Sequence, residues 1–381
     1  MMYHIPTKIH FGNKALNELE EIVNKKNPHQ ILLITGKNFV KKSGLQDRVL
    51  DLLKNFHVIV YDKVNPVPKE KEIYNSIEYV KQYDPDLIIG IGGGSVLDTS
   101  KIVAIMLRNY GELDYINSIK KNDKVSLIAI PTTAGTGSEV TPFSAFYKDN
   151  KKQSFGKIND YSNYPEYAIV DPELTFTMPK KLTASTGLDA LSQAIESYWN
   201  INSNPLSDTH AIEAIKLTLE NLENSYERVN DVDSKFNMAK ASLEAGLAFS
   251  QTATTAPHSI SYPMTSYFNL DHGFACALTL SEFLLYNYGV NNENCLDPRG
   301  HEFVKKRLDN LSFYLGFDSV NELYSKIKEV MKNINAPLSL NEANIDDIDI
   351  ILREGFTKER MSNNPRKVSE ESLNELLEKI R

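Results

Sequence analysis

The chain's 381 residues include 42 basic and 50 acidic side chains, for a net charge of −8, with 41% hydrophobic and 24% charged residues. That is an ordinary globular composition, long enough for two domains with real cores, and its acidity argues against nucleic acid or an anionic membrane as partner. Two cysteines without a CxxC spacing, Cys276 and Cys295, argue against a disulfide scaffold or a thiolate metal site. With neither an apolar signal core nor a bilayer-length apolar run, a cytoplasmic protein is the expectation.

The first half alternates short β-type runs with helical stretches. Gln30–Gly36 reads as a buried strand ending in glycine, followed by an amphipathic segment carrying Val49, Leu50, Leu52 and Leu53 and then the strand Val58–Tyr61. Lys71–Tyr83 reads as helix, and Asp86–Ile91 and Lys124–Ile130 as continuous apolar strands. Strands apolar on both faces, separated by helices, predict a parallel sheet covered on both sides. Phe143–Tyr147 and Tyr167–Asp171 are expected to be further strands, with Lys148–Lys152 between them as a hairpin turn.

From about Pro179 helical periodicity takes over, in Leu182–Trp199, Ser207–Asn221, Asp233–Ser250, Phe274–Tyr288, Glu302–Leu315 and Ser319–Ile334. Asn363–Arg366 breaks the last two helices. The expected organisation is a nucleotide-type α/β domain over residues 1–178 and an all-helical domain over 179–381, with a cleft between them.

Two loops carry nucleotide chemistry. Gly90–Lys101 contains Gly92-Gly93-Gly94-Ser95 and Asp98, follows a strand and opens a helix. Glycines let the backbone approach a pyrophosphate, and the helix N-terminus offers free N–H groups and a positive dipole end. The spacing is neither GxGxxG nor GxxxxGK[ST]. A second loop, Pro131–Glu139, supplies Thr132, Thr133 and Thr136, suited to the rest of a dinucleotide. At the end of the first apolar strand an acid would bind the ribose 2′-hydroxyl. This chain has Gly36-Lys37-Asn38, with no acid and one cation, which favours NADPH or tolerance of both NADPH and NADH.

The helical half carries metal chemistry. Asp189 and Gln193 are four apart on one predicted helix, so they share a face. His258 and His272 follow in later segments. One carboxylate and two imidazoles make the inventory of a catalytic divalent-metal site, and Asp189, His258 and His272 are the candidate ligands. His4, His10, His29, His57, His210 and His301 lack partners at ligand spacing and read as structural or surface residues, while Cys276 reads as core.

With these loops and ligands in order, the chain resembles the iron-containing (group III) alcohol dehydrogenases, kin to glycerol dehydrogenase and dehydroquinate synthase. The resemblance runs from Ile9-His10-Phe11-Gly12 through Gly92–Ser95, Pro131–Glu139 and Gly187–Leu191 to Asn364-Pro365-Arg366. It implies a Rossmann-like α/β N-terminal domain plus an all-α C-terminal domain (the dehydroquinate synthase-like fold). It further implies a metal in the cleft, a small aldehyde or alcohol substrate, and a homodimer or larger homo-oligomer. The family's second ligand, a histidine, falls here on Gln193, a neutral and weaker donor, which leaves Fe2+ and Zn2+ both open. A further histidine near the nicotinamide is replaced by Tyr262, which would either donate a proton or line the pocket; with His258 and His272 it makes up the catalytic set.

A narrower resemblance, carried by Ser192–Trp199, His258–Ser266 and Ser362–Arg366, is to the phosphonoacetaldehyde reductases, which form 2-hydroxyethylphosphonate. A phosphonate needs fixed cations, and Arg360, Arg366, Lys367, Lys151 and Lys157 are the candidates. Reduction of simple aldehydes, as in butanol or 1,3-propanediol dehydrogenases, is the competing expectation, with a dehydroquinate-synthase-like lyase behind it.

Overall fold

The structure, a computed structural model, describes residues 4–109, 124–149, 151–156, 163–228 and 230–381. They fall into two compact units, His4–Phe176 and Thr177–Arg381.

The first unit is built on β1 (Lys8–Phe11), β2 (Ile31–Gly36), β3 (Val58–Val64), β4 (Leu87–Gly92), β5 (Ser126–Pro131) and β8 (Tyr167–Val170), forming one sheet in the order β1-β8-β5-β4-β2-β3. Every pairing in it is parallel, with Ile31 opposite Leu87 and Leu33 opposite Ile89 at the centre. Side chains alternate faces along a strand, and both faces are covered. Ile31, Leu33, Leu87 and Ile89 pack into one core with Leu19, Val23 and Val49. Leu32, Ile34 and Ile88 pack into the other with Ile73, Ile77 and Val103. This is why β2, β4 and β5 are apolar without a break.

The hairpin departs from the sequence expectation. β6 (Ser144–Lys148) pairs antiparallel with β7 (Lys151–Phe155), and Tyr167–Val170 instead joins the main sheet between β1 and β5. Lys151-Lys152-Gln153-Ser154-Phe155 buries only its phenylalanine, so it lacks an apolar pattern to announce a strand. β1 was missed for the same reason; it lies at the sheet edge with no fully buried residue.

In the second unit, Lys180–Trp199 is the central helix, with no exposed face from Gly187 to Trp199. Pro205–Glu227, Val232–Thr252 and His272–Tyr288 pack around it, and Ala256–Phe268, His301–Tyr314 and Val320–Asn333 complete the main bundle. Asn204 starts one of these helices by accepting from the Leu206 and Ser207 amides, with Pro205 at its first position. Ala256–Phe268 is helical despite the internal Pro263, which hides it from a periodicity reading. Among the described residues no helix is long and apolar enough to cross a membrane.

Candidate functional site

A helix buried on every side must satisfy its polar side chains inside the protein. The central helix carries five in a short stretch. The Ser192 hydroxyl donates to the Leu188 carbonyl at 2.7 Å, and Ser197 bonds Thr252 at 2.9 Å. Glu196 accepts from the Thr255 amide at 2.6 Å, the Thr255 hydroxyl at 2.9 Å and His258 Nδ1 at 2.5 Å. That leaves Asp189 Oδ1 and Gln193 Oε1, both buried and without a hydrogen-bond partner. Two orphaned acceptors one turn apart call for a cation.

The other donors converge on the same point. Ligand atoms of Asp189, His258, His272 and Cys276 all lie within 4.8 Å of one another. His258 Nε2 stands 3.4 Å from Asp189 Oδ1, an ion-pair distance rather than a hydrogen bond. The predicted ligands Asp189, His258 and His272 are therefore brought together, and this donor set fits a divalent metal. Gln193, one turn from Asp189 on the same helix, also has a buried oxygen without a partner. Cys276 is fully buried, as expected of a core residue, but its sulfur also faces the cluster, which the cysteine count had argued against. Tyr262 stacks on His272 with ring centroids 6.1 Å apart, so it flanks a candidate ligand.

Three local devices hold this geometry. Glu196, absent from the sequence-derived set, grips His258 through Nδ1 and so leaves Nε2 for the cluster, the usual arrangement of a carboxylate behind a ligand histidine. The turn before His258 is tied to the central helix by Trp199 Nε1 donating to the Thr255 hydroxyl (2.9 Å) and Asn200 donating to the Ala253 carbonyl (3.1 Å). Gly273, next to His272, permits close helix approach. A Cβ there would run into the Ser185 carbonyl oxygen and lie 2.6 Å from its carbon and 3.1 Å from the Asp189 amide nitrogen.

The electrostatics agree. Burial disfavours a charged His258, yet Cys276 and the Glu196 carboxylate, together with Asp189, hold its pKa well above the usual histidine range. Burial pushes the Cys276 thiol up. A pocket that raises an imidazole's proton affinity this way stabilises positive charge, and a metal ion competes for the same place.

In the α/β unit, the chain leaves β2 toward β3 and leaves β4 toward β5, so the direction of winding reverses between β2 and β4. Ligands of open α/β sheets bind at the carboxyl ends of strands at such a switch point. Gly36 ends β2 there, 3.6 Å (as a virtual Cβ) from Val96 on the Gly94–Met106 helix. A Cβ on Gly93 would sit 3.3 Å from Thr133, and one on Gly94 would sit 2.7 Å from Thr136. The Thr132 amide donates to the Gly92 carbonyl at 2.9 Å. The two loops read from the sequence thus form one cradle. Ser95 donates to the Pro66 carbonyl. Asp98 faces the protein: its carboxylate accepts from the Ser138 hydroxyl (2.6 Å) and the Ala145 amide (2.8 Å), so it fixes the second loop rather than presenting free oxygens to a ligand. Beside it, burial lowers Lys101 to about 8 and raises Glu139 to about 7.

Of the candidate anion-binding residues, Arg366 is committed to Tyr286, donating to its carbonyl at 2.7 Å and lying 3.9 Å over its ring. Lys151 and Lys367 are exposed, and Lys157 lies outside the described residues. Arg360 lies on the short Lys358–Ser362 helix. That helix follows a turn fastened to Ser259, whose hydroxyl donates to the Gly355 carbonyl (2.5 Å) and accepts from the Thr357 amide (2.8 Å). Among the remaining histidines, His29, His210 and His301 pair with Asp86, Glu244 and Glu302, as structural or surface residues do.

Residues 6–172 match the family model described as iron-containing alcohol dehydrogenase, and residues 183–381 match the Fe-containing alcohol dehydrogenase family, C-terminal. The crystal structure of sulfoacetaldehyde reductase from Bifidobacterium kashiwanohense, in complex with NAD+, superimposes with a TM-score of 0.89 at 30% identity, covering 100% of this chain and 98% of that one. The NADPH-dependent butanol dehydrogenase of Clostridium saccharobutylicum is 30% identical over 99% of this chain and 97% of its own. The 1,3-propanediol dehydrogenase of Citrobacter freundii is 31% identical over 98% and 97%.

Proposed function

The chain belongs to the iron-containing alcohol dehydrogenase family, and from that premise we propose that it is a metal-dependent, NAD(P)H-linked reductase of phosphonoacetaldehyde, forming 2-hydroxyethylphosphonate. The observation that carries the metal-dependent reading is the convergence of Asp189, His258 and His272 donors in a buried pocket where Asp189 Oδ1 and Gln193 Oε1 have no partner. Asp189, His258 and His272 would hold Fe2+ or Zn2+. When bound, the ion supplies Lewis acidity at the aldehyde oxygen, worth several kcal/mol of charge stabilisation against roughly 3 to 5 kcal/mol from a general acid alone.

The chain's own residues do the rest. Glu196 keeps His258 in one tautomer and orientation. Tyr262, beside His272, either donates the proton that the reduced substrate's oxygen takes up to become the alcohol or lines the pocket and excludes water. Gly36, Lys37, Gly93, Gly94, Ser95, Thr132, Thr133 and Thr136 form the dinucleotide cradle. Lys37, where an acid would select NADH, favours NADPH or both cofactors. Asp98 and Lys101 hold the second loop in place.

An anionic two-carbon aldehyde is supported by the full-length similarity to a sulfoacetaldehyde reductase, since sulfonate and phosphonate share their tetrahedral oxyanion chemistry. Arg360 is the cation we assign to that head group, because the turn that leads into its helix is fastened to Ser259, the residue following His258. Similarity to butanol and 1,3-propanediol dehydrogenases favours a second reading, reduction of uncharged aldehydes. NADPH and NADH oxidation with phosphonoacetaldehyde, sulfoacetaldehyde, butyraldehyde and 3-hydroxypropionaldehyde separates the two. Preference for the anionic pair, with R360Q losing that preference and keeping activity on butyraldehyde, upholds the first; preference for the uncharged pair upholds the second. Full activity after exhaustive chelation would refute metal dependence in either.

A further inference from the structure

We propose that Cys276 is a metal ligand, so that the ion is held by Asp189, His258, His272 and a Cys276 thiolate. This rests on the metal-dependent reading above and adds a donor that it does not assign. His272 and Cys276 are four apart on the His272–Tyr288 helix, which places both on one face, one turn apart. The sulfur lies 3.8 Å from His272 Nε2, and it belongs to the set whose donors are all within 4.8 Å of one another.

The spacing fits one small ion. Metal bonds of about 2.0–2.1 Å to nitrogen or oxygen and about 2.3 Å to sulfur, arranged tetrahedrally, give edges of roughly 3.3 to 3.4 Å between nitrogen or oxygen donors and roughly 3.5 to 3.6 Å between sulfur and one of them. The two edges seen here are 3.4 Å, from His258 Nε2 to Asp189 Oδ1, which matches, and 3.8 Å, from Cys276 Sγ to His272 Nε2, which needs a closure of only about 0.2 Å. A cysteine serving only as core would face apolar neighbours. This one is fully buried yet faces two imidazoles and a carboxylate with an unpartnered oxygen. A thiolate is also a stronger donor to a borderline ion than the neutral amide oxygen of Gln193. Catalytic zinc centres expand to five donors during turnover, so four protein ligands are compatible with catalysis.

The test is the absorption spectrum of the Co2+-substituted protein, which needs no turnover. Cobalt bound at this site gives visible d–d bands, and a thiolate ligand adds an intense sulfur-to-cobalt charge-transfer band in the near ultraviolet. The wild type and C295A are expected to show both. C276A is expected to keep the visible bands, lose the near-ultraviolet band, and bind cobalt on the order of 10-fold or more weakly. Because the chain has two cysteines, C295A leaves Cys276 as its sole thiol, so its spectrum decides even if C276A does not fold. Visible bands without the charge-transfer band in wild type would reject the thiolate ligand and leave the metal reading standing. Failure of the wild type to take up cobalt, zinc or iron would overturn both.

Discussion

The most demanding consequence of the fold concerns Gly273, the residue after a candidate ligand. In Gly273→Ala the new Cβ would sit 2.6 Å from the Ser185 carbonyl carbon and nearer still to its oxygen, whereas ordinary contact begins at 3.4 Å. The two helices must therefore separate locally by about 0.8 Å or more. That displacement acts one residue from His272 and close to the Asp189 amide, on both sides of the candidate metal site. Metal–ligand distances tolerate roughly ±0.2 Å, so the shift exceeds tolerance about fourfold. Alanine's better helix propensity, about 1 kcal/mol over glycine, works against this, but overpacking a tight contact costs about 1 to 3 kcal/mol or more. The clash wins on site geometry even where the two nearly balance in stability. We expect Zn2+ affinity, measured by competition with a chromophoric chelator, to fall at least 100-fold, about 2.7 kcal/mol. We expect Tm to fall by no more than several degrees and NADPH binding to stay near wild type. Wild-type Zn2+ affinity in a folded G273A protein would refute the argument that this glycine sets the ligand geometry.

Three further outcomes follow from named contacts. Glu196→Gln removes the charge behind His258 and an acceptor that serves Thr255, so metal affinity should drop about 10- to 100-fold; unchanged affinity in a metal titration would show that His258 needs no such support. Gln193→His puts a stronger donor beside Asp189 and should tighten Zn2+ and Fe2+ binding, whereas no change would mean that this side chain points away from the ion. Lys101→Met strips the buried ammonium that donates to the Thr141 carbonyl (3.1 Å) and Phe143 carbonyl (2.5 Å) and stands 3.7 Å from Asp98. Leaving those acceptors and that carboxylate unpaired costs about 3 to 5 kcal/mol, a fall in Tm on the order of 10 °C by calorimetry; a Tm within 2 °C of wild type, well inside that margin, would show the loop does not depend on Lys101.

What the chain made legible about its fold follows burial. β2, β4 and β5 announced themselves because both faces are covered, and Leu182–Trp199 did so because Leu188, Leu191 and Ile195 recur at helical spacing. β1 and β7 did not, because an edge strand and a solvated hairpin arm have no such pattern. A turn does fall near Asp149, but Lys148, Lys151 and Lys152 belong to its strands and not to the turn, and its second arm is Lys151–Phe155 instead of Tyr167–Asp171. A strand's pattern records how deeply it is buried, not which neighbour it pairs with. At Ala256–Phe268, tertiary contacts of Ser259 and Thr255 sustain a helix that Pro263 interrupts locally.

For the site, chemistry was easier to see than coordination. Asp189, Gln193 and Glu196 stand at i, i+4 and i+7, the spacing that normally marks an apolar core face. Here that stripe is polar on a helix buried all round, and this contradiction between position and polarity was the available signal for Glu196. His272 and Cys276 repeat it at i, i+4 on a second helix. Spacing along one helix says nothing about what the other presents to it, so the expected meeting of Asp189 and His272 rests on the ligand inventory and the family resemblance, and neither of these signals that Cys276 joins them. The meeting nevertheless has a necessary consequence. Asp189 and Glu196 bring two carboxylates into one buried region, the second engaged by three donors and the first left with an open oxygen. Uncompensated buried charge costs several kcal/mol, so a chain that keeps this arrangement must neutralise it. A proton on His258, whose Nε2 stands 3.4 Å from Asp189 Oδ1, does so in part; a divalent ion held by Asp189, His258 and His272 would offset the charge of both carboxylates and bond Asp189 Oδ1 directly.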